Sequence, residues 1–530
     1  QGSIPNRFKA NVSGVDFKPE NVVKAVKDAW WELSELVYDS DLKKLGQEGA
    51  DKERTRKIWE RQIKACWEIT WALTDKVEDS AILDQSKNWR AYAPPHEPGV
   101  KCMMMEGWQE LSGVETHDAK ALEKFWGGLR KSGVKAIGSD LREREYLCAI
   151  AFVKRRFPHY FENVSVEMTT EVNGRKWSAH GWKVKPGRPS VSYMSAVHWL
   201  KNTILKIQDN SKPNDAKAVE EQLWKFHDAA FELTKDHGSW NNDIRCIRQA
   251  TPHRKWEALE GDVFFESALQ NPNLFPLDKN GEQAKETLRQ LRRLQAKTGL
   301  SAPSPFYAVL MMDGDSLGKQ MSDRNKQEAI AKGLQEFTRT VSGDKGIVHS
   351  NNGFLVYAGG DDVLAVLPLE DALPCALEIR ERYEAIFAED KDKLGVETSI
   401  SAAIEFAHMN MPLTKVLSDA HSLLDDVAKD RCGRDSLAVR VWKPGGKALE
   451  WAMPWVKACE EDANGKNQLE ILRLCKLLEG VDPNHQFSNG FFYKIREQLE
   501  LLNPVVLPDP CGRTKKPVSG DSVFGSGSLD

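Results

Sequence analysis

The spacing of hydrophobic and polar residues changes near residue 300. Before that point most apolar residues recur with helical spacing, whereas after it short apolar runs alternate with helical segments. We therefore expect a largely helical N-terminal part, followed by a domain that is built on a β-sheet.

Helical periodicity is clearest in three segments of the N-terminal part. A helix is predicted from Pro19 to about Tyr38, because one helical face is apolar and proline suits a first helical turn. A second helix is predicted around Trp59 to Trp67, and a third, amphipathic and basic on its outer face, from Gln283 to Lys297. Between them, Asn173-Gly174 predicts the turn of a β-hairpin within 167–187.

The segment after the proline-containing linker at 301–305 predicts a ferredoxin-like order of elements. Apolar strands are expected at Tyr307–Met312, Phe354–Ala358, Val363–Leu367, Thr398–Phe406 and Ser436–Trp442. Amphipathic helices are expected after the first, third and fourth of these strands. The resulting order, βαββαβ followed by αβ, is that of a palm domain in an α+β protein. From Ala448 onward the pattern predicts helices.

Composition narrows the class of protein only slightly. With 530 residues the chain is expected to form several domains, and its net charge of −4 excludes a uniformly basic nucleic-acid coat. No apolar run reaches the about 18 residues of a membrane span and no signal pattern occurs, so we expect a cytoplasmic protein. The nine cysteines form no C-x-x-C pair and are expected to be reduced.

Two acidic motifs stand where a palm enzyme needs carboxylates. Met312-Asp313-Gly314-Asp315 ends the first palm strand, and Gly359-Gly360-Asp361-Asp362 joins the next two. Mg²⁺ and Mn²⁺ prefer such oxygen ligands, and the glycines leave room for a triphosphate. We expect Asp313, Asp361 and Asp362 to be catalytic metal ligands, with Gly314, Asp315, Gly359 and Gly360 contributing to nucleotide binding.

Two cations are candidates for phosphate binding. Lys429 ends the helix before the last palm strand, and Arg434 lies in the loop that follows. They could neutralise a pyrophosphate leaving group. Equally, cations are common at helix C-termini for electrostatic reasons alone, so the residues leave both interpretations open.

These motifs together resemble the large subunit of type III-B (Cmr) CRISPR effector complexes, a family of palm-domain CRISPR polymerases. The resemblance lies in Met312–Gly318, Gly359–Asp362, Asp419–Lys429, Gly433–Asp435 and Val441–Gly446, and more weakly in Ile4–Phe8 and Ser192–Ala196. It implies RNA-activated joining of ATP into cyclic or short oligoadenylates, with Mg²⁺ or Mn²⁺. It also implies guide RNA, target RNA and the backbone and small helical subunits of the complex as partners.

The resemblance also implies a domain plan of two ferredoxin-like palms with helical insertions. A first palm would begin in 1–95 and continue, with a helical connector, in 161–300; a degenerate zinc module would occupy 96–160, the GGDD palm 301–446 and a helical domain 447–530. The family's N-terminal HD nuclease is not expected, because His117-Asp118 and His227-Asp228 lack further ligands and suit surface or capping positions. The strand and helix that precede the family's first motif are also missing, which suggests a truncated start.

Zinc is not expected, because the module keeps only Cys102 and Cys148, and two thiolates do not complete a tetrahedral site. Two other functions remain as alternatives to a synthase. The palm could be a silent scaffold within the ribonucleoprotein, or the chain could be a stand-alone diguanylate-type cyclase, whose motif reads GGDEF instead of GGDD.

Overall fold

The computed structural model describes residue 12 and residues 17–45, 50–75 and 96–478. Within the last range the gaps are 136, 142–143, 173–174, 185–187, 209–212, 236–241, 276–280, 322, 344, 444, 462–464 and 466. Ile4–Phe8, one of the family-like segments, and the apolar residues beyond 478 lie outside the described residues.

The N-terminal elements are mainly helices, as the periodicity predicted. They are α1 Pro19–Val37, α2 Ala50–Ala65, α3 Ala119–Arg130, α4 Ile137–Asp140, α5 Ala149–Arg156, and the hairpin strands β1 Ser165–Val172 and β2 Arg175–His180. The two strands pair antiparallel, which confirms the hairpin, although its turn lies outside the described residues.

A second group of helices leads into the palm. It comprises α6 Val191–Leu205, α7 Pro213–Thr234, α8 Arg245–Ala250, α9 Glu266–Leu269 and α10 Gly281–Thr298. The last of these confirms the predicted basic amphipathic helix, since Leu291 and Leu294 are buried while Arg289, Arg292 and Arg293 face solvent.

The palm follows in the predicted order. Its elements are β3 Phe306–Asp315, α11 Leu317–Gln320, α12 Arg324–Val341, α13 Ile347–Ser350, β4 Phe354–Gly359, β5 Asp362–Pro368, α14 Ala372–Leu394, β6 Ser399–His408, α15 Leu413–Ser422 and β7 Ser436–Lys443. Helix α15 continues as a π-helical segment, Leu423–Arg431.

One six-stranded sheet organises the palm, in the order β4-β5-β3-β6-β7 with a final strand, β8 Gly446–Pro454, at the edge beside β7. Strand β3 is central and pairs antiparallel with both β5 and β6, whereas β6 and β7 run parallel. The pairing of β3 with β5 brings the end of β3 beside the β4–β5 turn.

Both faces of this sheet are covered by helices. Alternate β3 residues such as Val309 and Met311 join a core with α6, α7, α10 and α15. Their neighbours Leu310 and Met312 are also fully buried, on the face that α12 and α14 cover. Residues on successive positions of a strand point to opposite faces, so a strand buried on both sides is apolar throughout.

The N-terminal helices enclose a separate core. It includes Trp59, Trp126 and Phe152, and Arg156 is fully buried there with its guanidinium 2.7 Å from Asp41. Of the two tryptophans in the second predicted helix, Trp59 lies in this core, whereas Trp67 is exposed. In the described part of 1–300 the only sheet is the β1–β2 hairpin, so a first ferredoxin-like palm stays a prediction.

The helical prediction for the residues after Ala448 is wrong at its beginning. Strand β8 adds to the palm sheet there, because Gly446, at φ +119°, lets the chain fold back along β7. The chain divides at 452/453 into two compact units. The second contains α16 Trp455–Ala458, the paired strands β9 Cys459–Glu461 and β10 Asn467–Leu469, and α17 Glu470–Leu478.

None of the described helices combines the length and apolar content that crossing a membrane requires.

A buried carboxyl group lies beneath α15. Glu405 of β6 is fully buried, and no described N–H or O–H group donates to its oxygens. Burial, reinforced by the charge of Asp419, raises the pKa of Glu405 to about 9. The protonated carboxyl can donate to Asp419, which also accepts from Arg440 at 2.6 Å. The palm core therefore holds a neutral glutamic acid near neutral pH.

We expect Glu405→Gln to make the protein more stable than the wild type at pH 8, but little different at pH 5. The folded chain keeps a proton that the unfolded chain releases above its ordinary pKa of 4.5, so stability falls as pH rises from 4.5 toward about 9. The amide avoids this loss and preserves donation to Asp419. Thermal unfolding across pH should show a gain of at least about 1 kcal/mol at pH 8. The exposed control Glu397→Gln should give no such trend; equal pH profiles for Glu405→Gln and wild type would contradict a neutral Glu405.

Candidate metal and nucleotide site

Asp313 occupies the end of the central strand. It lies two residues after Met311, so its side chain leaves the sheet on the face that α6 and α15 cover. The π-helical segment after α15 packs against β3 on this face. Asp313 is only half-buried, and the pairing of β3 with β5 ends one residue before it, at Met312.

The β4–β5 turn supplies the other two carboxylates. Gly360 has φ +69°, a left-handed conformation that glycine adopts without strain, and Asp361 and Asp362 follow it. Opposite the turn, a Cβ atom added to Gly314 would lie 2.7 Å from Asp361 Cβ. Glycine is therefore required at 314 for Asp361 to approach β3 closely.

Asp313, Asp361 and Asp362 converge on one point. One carboxylate oxygen from each lies within 4.8 Å of the others, and no other group of three or more His, Cys, Asp or Glu in the described part of the chain could hold a metal in this way. Burial, followed by the charge of Asp313, raises the pKa of Asp361 to about 6. Burial, followed by a hydrogen bond with Asp313 and by the charge of Asp313, raises the pKa of Asp362 to about 7. A divalent cation would relieve this repulsion, so the triad fits the expected Mg²⁺ or Mn²⁺.

Lys429 is the cation beside this triad. Its ammonium group forms ion pairs with Asp313 and, at 3.1 Å, with Asp425. These carboxylates raise the pKa of Lys429 in spite of its partial burial, so it stays charged. The π-helical segment carries Lys429 to the sheet, and π-helical turns often occur at functional sites.

Asp315 lies outside the triad and has structural partners. It is almost fully buried and accepts hydrogen bonds from the hydroxyls of Ser399 at 2.9 Å and Ser401 at 2.8 Å. It also accepts from the backbone N–H of Asp435 at 3.0 Å. The structure thus places Asp315 where it ties β3 to β6 and to the loop before β7.

The loop that Asp315 holds contains three consecutive residues with positive φ. They are Gly433 at +85°, Arg434 at +73° and Asp435 at +45°. Arginine and aspartate pay a steric cost in this conformation, so the surrounding contacts must impose it. Arg434 remains half-exposed, with Nη1 3.5 Å from Asp315, and its guanidinium is accessible to an anion.

Tyr357 is a neighbour of the site that motif reasoning missed. Through its partner Leu364 it lies on the same sheet face as Met311 and Asp313. Its hydroxyl oxygen would be 2.2 Å from a Cβ added to Gly359, so a side chain there would displace the ring from its present position. Its position shortly before the glycines could have indicated a neighbour of the site, but an aromatic residue in a strand usually belongs to the hydrophobic core.

The two His-Asp pairs have structural positions. Asp118 caps α3 by accepting from the N–H groups of Lys120 and Ala121, which confirms a capping role. The surface interpretation of His227 is wrong, because its ring is buried and stacks on Phe231. The ring is buried because aromatic residues pack around this face of the helix.

The sheet order and the acidic triad define a palm domain of the nucleotidyltransferase and cyclase-like fold. Residues 306–438 match the family model for the second palm domain of Cas10/Cmr2. This match, with the Cmr2 relatives described next, identifies residues 306–438 as a palm domain of the Cas10/Cmr2 family, as the motifs indicated.

The sequence relatives are Cmr2 subunits. The chain is 32% identical over 230 residues to the CRISPR system Cmr subunit Cmr2 of Pyrococcus furiosus, covering 37% of this chain and 26% of that protein. It is 25% identical over 115 residues to the Cmr2 of Saccharolobus solfataricus, covering 19% of this chain and 10% of that protein. The aligned parts therefore span about a quarter of these relatives or less.

Among solved structures, the chain aligns with type III-B Cmr-beta in its apo state, determined by cryo-EM. That likeness has a TM-score of 0.49 at 14% identity, over 92% of this chain and 62% of the other. The crystal structure of a Csm1–Csm4 cassette in complex with cA4 gives a TM-score of 0.23 at 16% identity, over 38% of this chain and 29% of the other.

We expect the affinity of the carboxylate triad for Mn²⁺ to decrease as the pH is lowered from 7 to 5. Ionised carboxylates bind the metal, and the raised pKa of Asp361, about 6, means that acid protonates this ligand within that interval. Calorimetric titration should show binding at least about tenfold weaker at pH 5 than at pH 7.5, with protons released on binding. Affinity that is unchanged over this range would contradict the raised pKa.

Replacement of Asp315 should separate stability from metal binding. Asp315→Ala removes the acceptor of two hydroxyls and a backbone N–H, and we expect a loss of about 3 kcal/mol of unfolding free energy. Asp313→Ala should lose metal affinity with a smaller effect on stability, because it is half-buried and faces the triad. Urea unfolding and Mn²⁺ titration of both variants measure the two effects; the reverse pattern would place Asp315 in the metal site.

Proposed function

We propose that the palm is an RNA-activated synthase that joins ATP into cyclic or short oligoadenylates. The observation that carries the proposal is the convergence of Asp313, Asp361 and Asp362 beside Lys429 at the open end of a palm sheet. The Cas10/Cmr2 palm match over 306–438 supports it. In this reaction the 3′-hydroxyl of one ATP attacks the α-phosphate of another, forming a phosphodiester bond and releasing pyrophosphate.

The three carboxylates would hold Mg²⁺ or Mn²⁺. Divalent ions supply charge stabilisation for the attacking and leaving oxygens in such transfers. The chain's own contribution is to fix the three ligands: β3 carries Asp313, the β4–β5 turn carries Asp361 and Asp362, and Gly314 permits their close approach. Positioning of this kind avoids reorganisation during the reaction.

Lys429 and Arg434 would bind the phosphates of the donor nucleotide. Lys429 is charged and lies at the triad, and Arg434 is presented by a loop that Asp315 fixes. Both lie on the π-helical side of the site, so we assign the triphosphate to that side. Their positive charge would stabilise the pyrophosphate as it leaves.

In the proposed setting the chain is the large subunit of a type III effector ribonucleoprotein. The relatives that share its palm are Cmr subunits, and this supports guide RNA, target RNA and other Cmr subunits as partners. RNA pairing would then regulate the palm from outside the site. The GGDD sequence at 359–362, in place of GGDEF, favours this role over a diguanylate-type cyclase.

The test is a synthase assay on the reconstituted complex. With target RNA, Mn²⁺ or Mg²⁺ and labelled ATP, we expect oligoadenylate from the wild type and a loss of at least about 100-fold for Asp361→Ala/Asp362→Ala. The matched control Asp390→Ala/Asp392→Ala removes two acids at the C-terminal end of α14 and should retain wild-type activity.

Three other outcomes would overturn this proposal. Cyclic diguanylate from GTP would assign the chain to the diguanylate class. RNA binding and cleavage by the complex without any nucleotide product, from ATP or other nucleotides, would assign the palm a scaffold role. Equal oligoadenylate synthesis by the Asp361→Ala/Asp362→Ala variant would locate the chemistry elsewhere.

A further inference from the structure

An irregularity in strand β4 determines which way Tyr357 faces. Strand β4 pairs with β5 without a break except between Leu355 and Tyr357, where Val356 is an extra residue. Such a β-bulge reverses the faces of the residues that follow it, and bulges are common beside active sites. Because the bulge sets Tyr357 opposite Leu364, its side chain lies on the sheet face that carries Asp313. In a regular strand Tyr357 would point to the other face.

The ring of Tyr357 lies over the start of the acidic turn. Its Cζ atom and its hydroxyl oxygen would be 2.5 Å and 2.2 Å from a Cβ atom added to Gly359. Gly359 pairs with Asp362, so the ring borders the carboxylate triad. Even so, 37% of Tyr357 is exposed. An exposed aromatic face beside the triad is a surface on which a planar base can stack.

A second aromatic residue and a cation extend this surface along β4. Phe354 pairs with Val366, which lies two residues from Leu364 on β5, so Phe354 shares the face of Tyr357 about 7 Å away. The guanidinium carbon of Arg188 lies 5.2 Å from the centre of the Phe354 ring. Arg188 is exposed, and no carboxylate among the described residues forms an ion pair with it. A cation beside aromatic rings suits the phosphate and the base of a nucleotide.

The position of this surface indicates which of the two substrates it would bind. Strand β4 forms one edge of the palm sheet, whereas Lys429 and Arg434 lie toward the other edge, on the π-helical segment and in the loop before β7. In phosphoryl transfer the attacking and leaving oxygens lie roughly in line through the phosphorus. Since the pyrophosphate of the donor leaves on the π-helical side, the attacking 3′-hydroxyl arrives from the β4 side.

We propose that Tyr357 and Arg188 bind the acceptor nucleotide, whose base stacks on Tyr357 and whose 5′-phosphate contacts Arg188. This assignment rests on the proposed synthase reaction, because it specifies how one of its two substrates is held. The acceptor's 3′-hydroxyl then faces the α-phosphate of the donor ATP at the triad. As the phosphodiester bond forms, the hydroxyl proton passes to solvent and pyrophosphate is released. The same surface would bind ATP in the first step and the 3′-terminal nucleotide of the growing chain in later steps.

The first test is a primed synthase assay on the reconstituted complex with target RNA and Mn²⁺. The donor is α-labelled ATP, and the acceptors are the dinucleotides pApA and ApA, which differ only in the 5′-phosphate. Tyr357→Leu should raise the KM of both acceptors at least about fivefold, the lower end of the contribution of base–aromatic stacking. The KM of donor ATP, measured at saturating acceptor, should stay at its wild-type value. Tyr357→Phe keeps the ring and should behave like the wild type.

Replacement of Arg188 separates recognition of the phosphate from recognition of the base. Arg188→Gln should raise the KM of pApA at least about fivefold but leave that of ApA unchanged, because only pApA offers a 5′-phosphate to the guanidinium. The control Arg339→Gln removes another exposed arginine, on α12 at the opposite sheet face, and should change neither value. Circular dichroism and thermal unfolding establish that each variant is folded.

Equilibrium binding distinguishes a failure of this assignment from a failure of the synthase reaction. The probe is ApA with 2-aminopurine as its 3′-terminal base; it cannot act as a donor, and stacking on an aromatic ring quenches its fluorescence. We expect the wild-type complex to quench the probe, Tyr357→Leu to lose this quenching and Tyr357→Phe to retain it, even if no oligoadenylate is made.

Three results would overturn the assignment. The first is Tyr357→Leu with unchanged acceptor KM and unchanged quenching of the probe. The second is Tyr357→Leu with a raised KM for donor ATP alone, which would place the ring on the donor side. The third is Arg188→Gln with equal effects on pApA and ApA. A wild type that quenches the probe through Tyr357 but makes no oligoadenylate would contradict the synthase reaction and support the base-binding role of Tyr357.

Discussion

Mutual repulsion among three carboxylates is the constraint on which the palm depends. Asp313, Asp361 and Asp362 approach to within 4.8 Å, and their crowding and burial raise the pKa of two of them. The strands that carry these carboxylates must therefore be held in register by interactions that outweigh the repulsion. The central strand β3 is hydrogen-bonded on both sides and buried on both faces, and this rigidity fixes the triad.

The other residues around the triad have separate roles. Lys429 offsets the negative charge, Gly314 and Gly360 give the backbone the room and conformation it needs, and Asp315 anchors the strained loop that presents Arg434. Asp315 differs from Asp313 by two positions on the same strand, yet its partners are hydroxyls and a backbone N–H. Burial against β6, and not residue type, decides which acid faces solvent.

Sequence periodicity predicted the palm well because each of its strands and helices has one dominant pattern. The β3 strand and the 359–362 turn lie where the apolar runs placed them, and so the convergence of the three carboxylates could be predicted. Strand β8 was missed, since its pairing with β7 depends on a turn at Gly446 and on an ion pair between Arg440 and Glu450, which no local pattern shows. The partners of Asp315 and the proximity of Tyr357 were missed for the same reason: both depend on contacts between distant segments.

The most direct test of the central claim is a crystal structure of the chain with Mn²⁺ and a non-hydrolysable ATP analogue, with anomalous diffraction used to locate the metal. We predict an anomalous peak bounded by Asp313, Asp361 and Asp362, at oxygen distances of about 2.0–2.2 Å, with Lys429 turned toward the phosphates. A nucleotide bound elsewhere, or manganese absent from the triad while Lys429 keeps its ion pair with Asp313, would contradict the account.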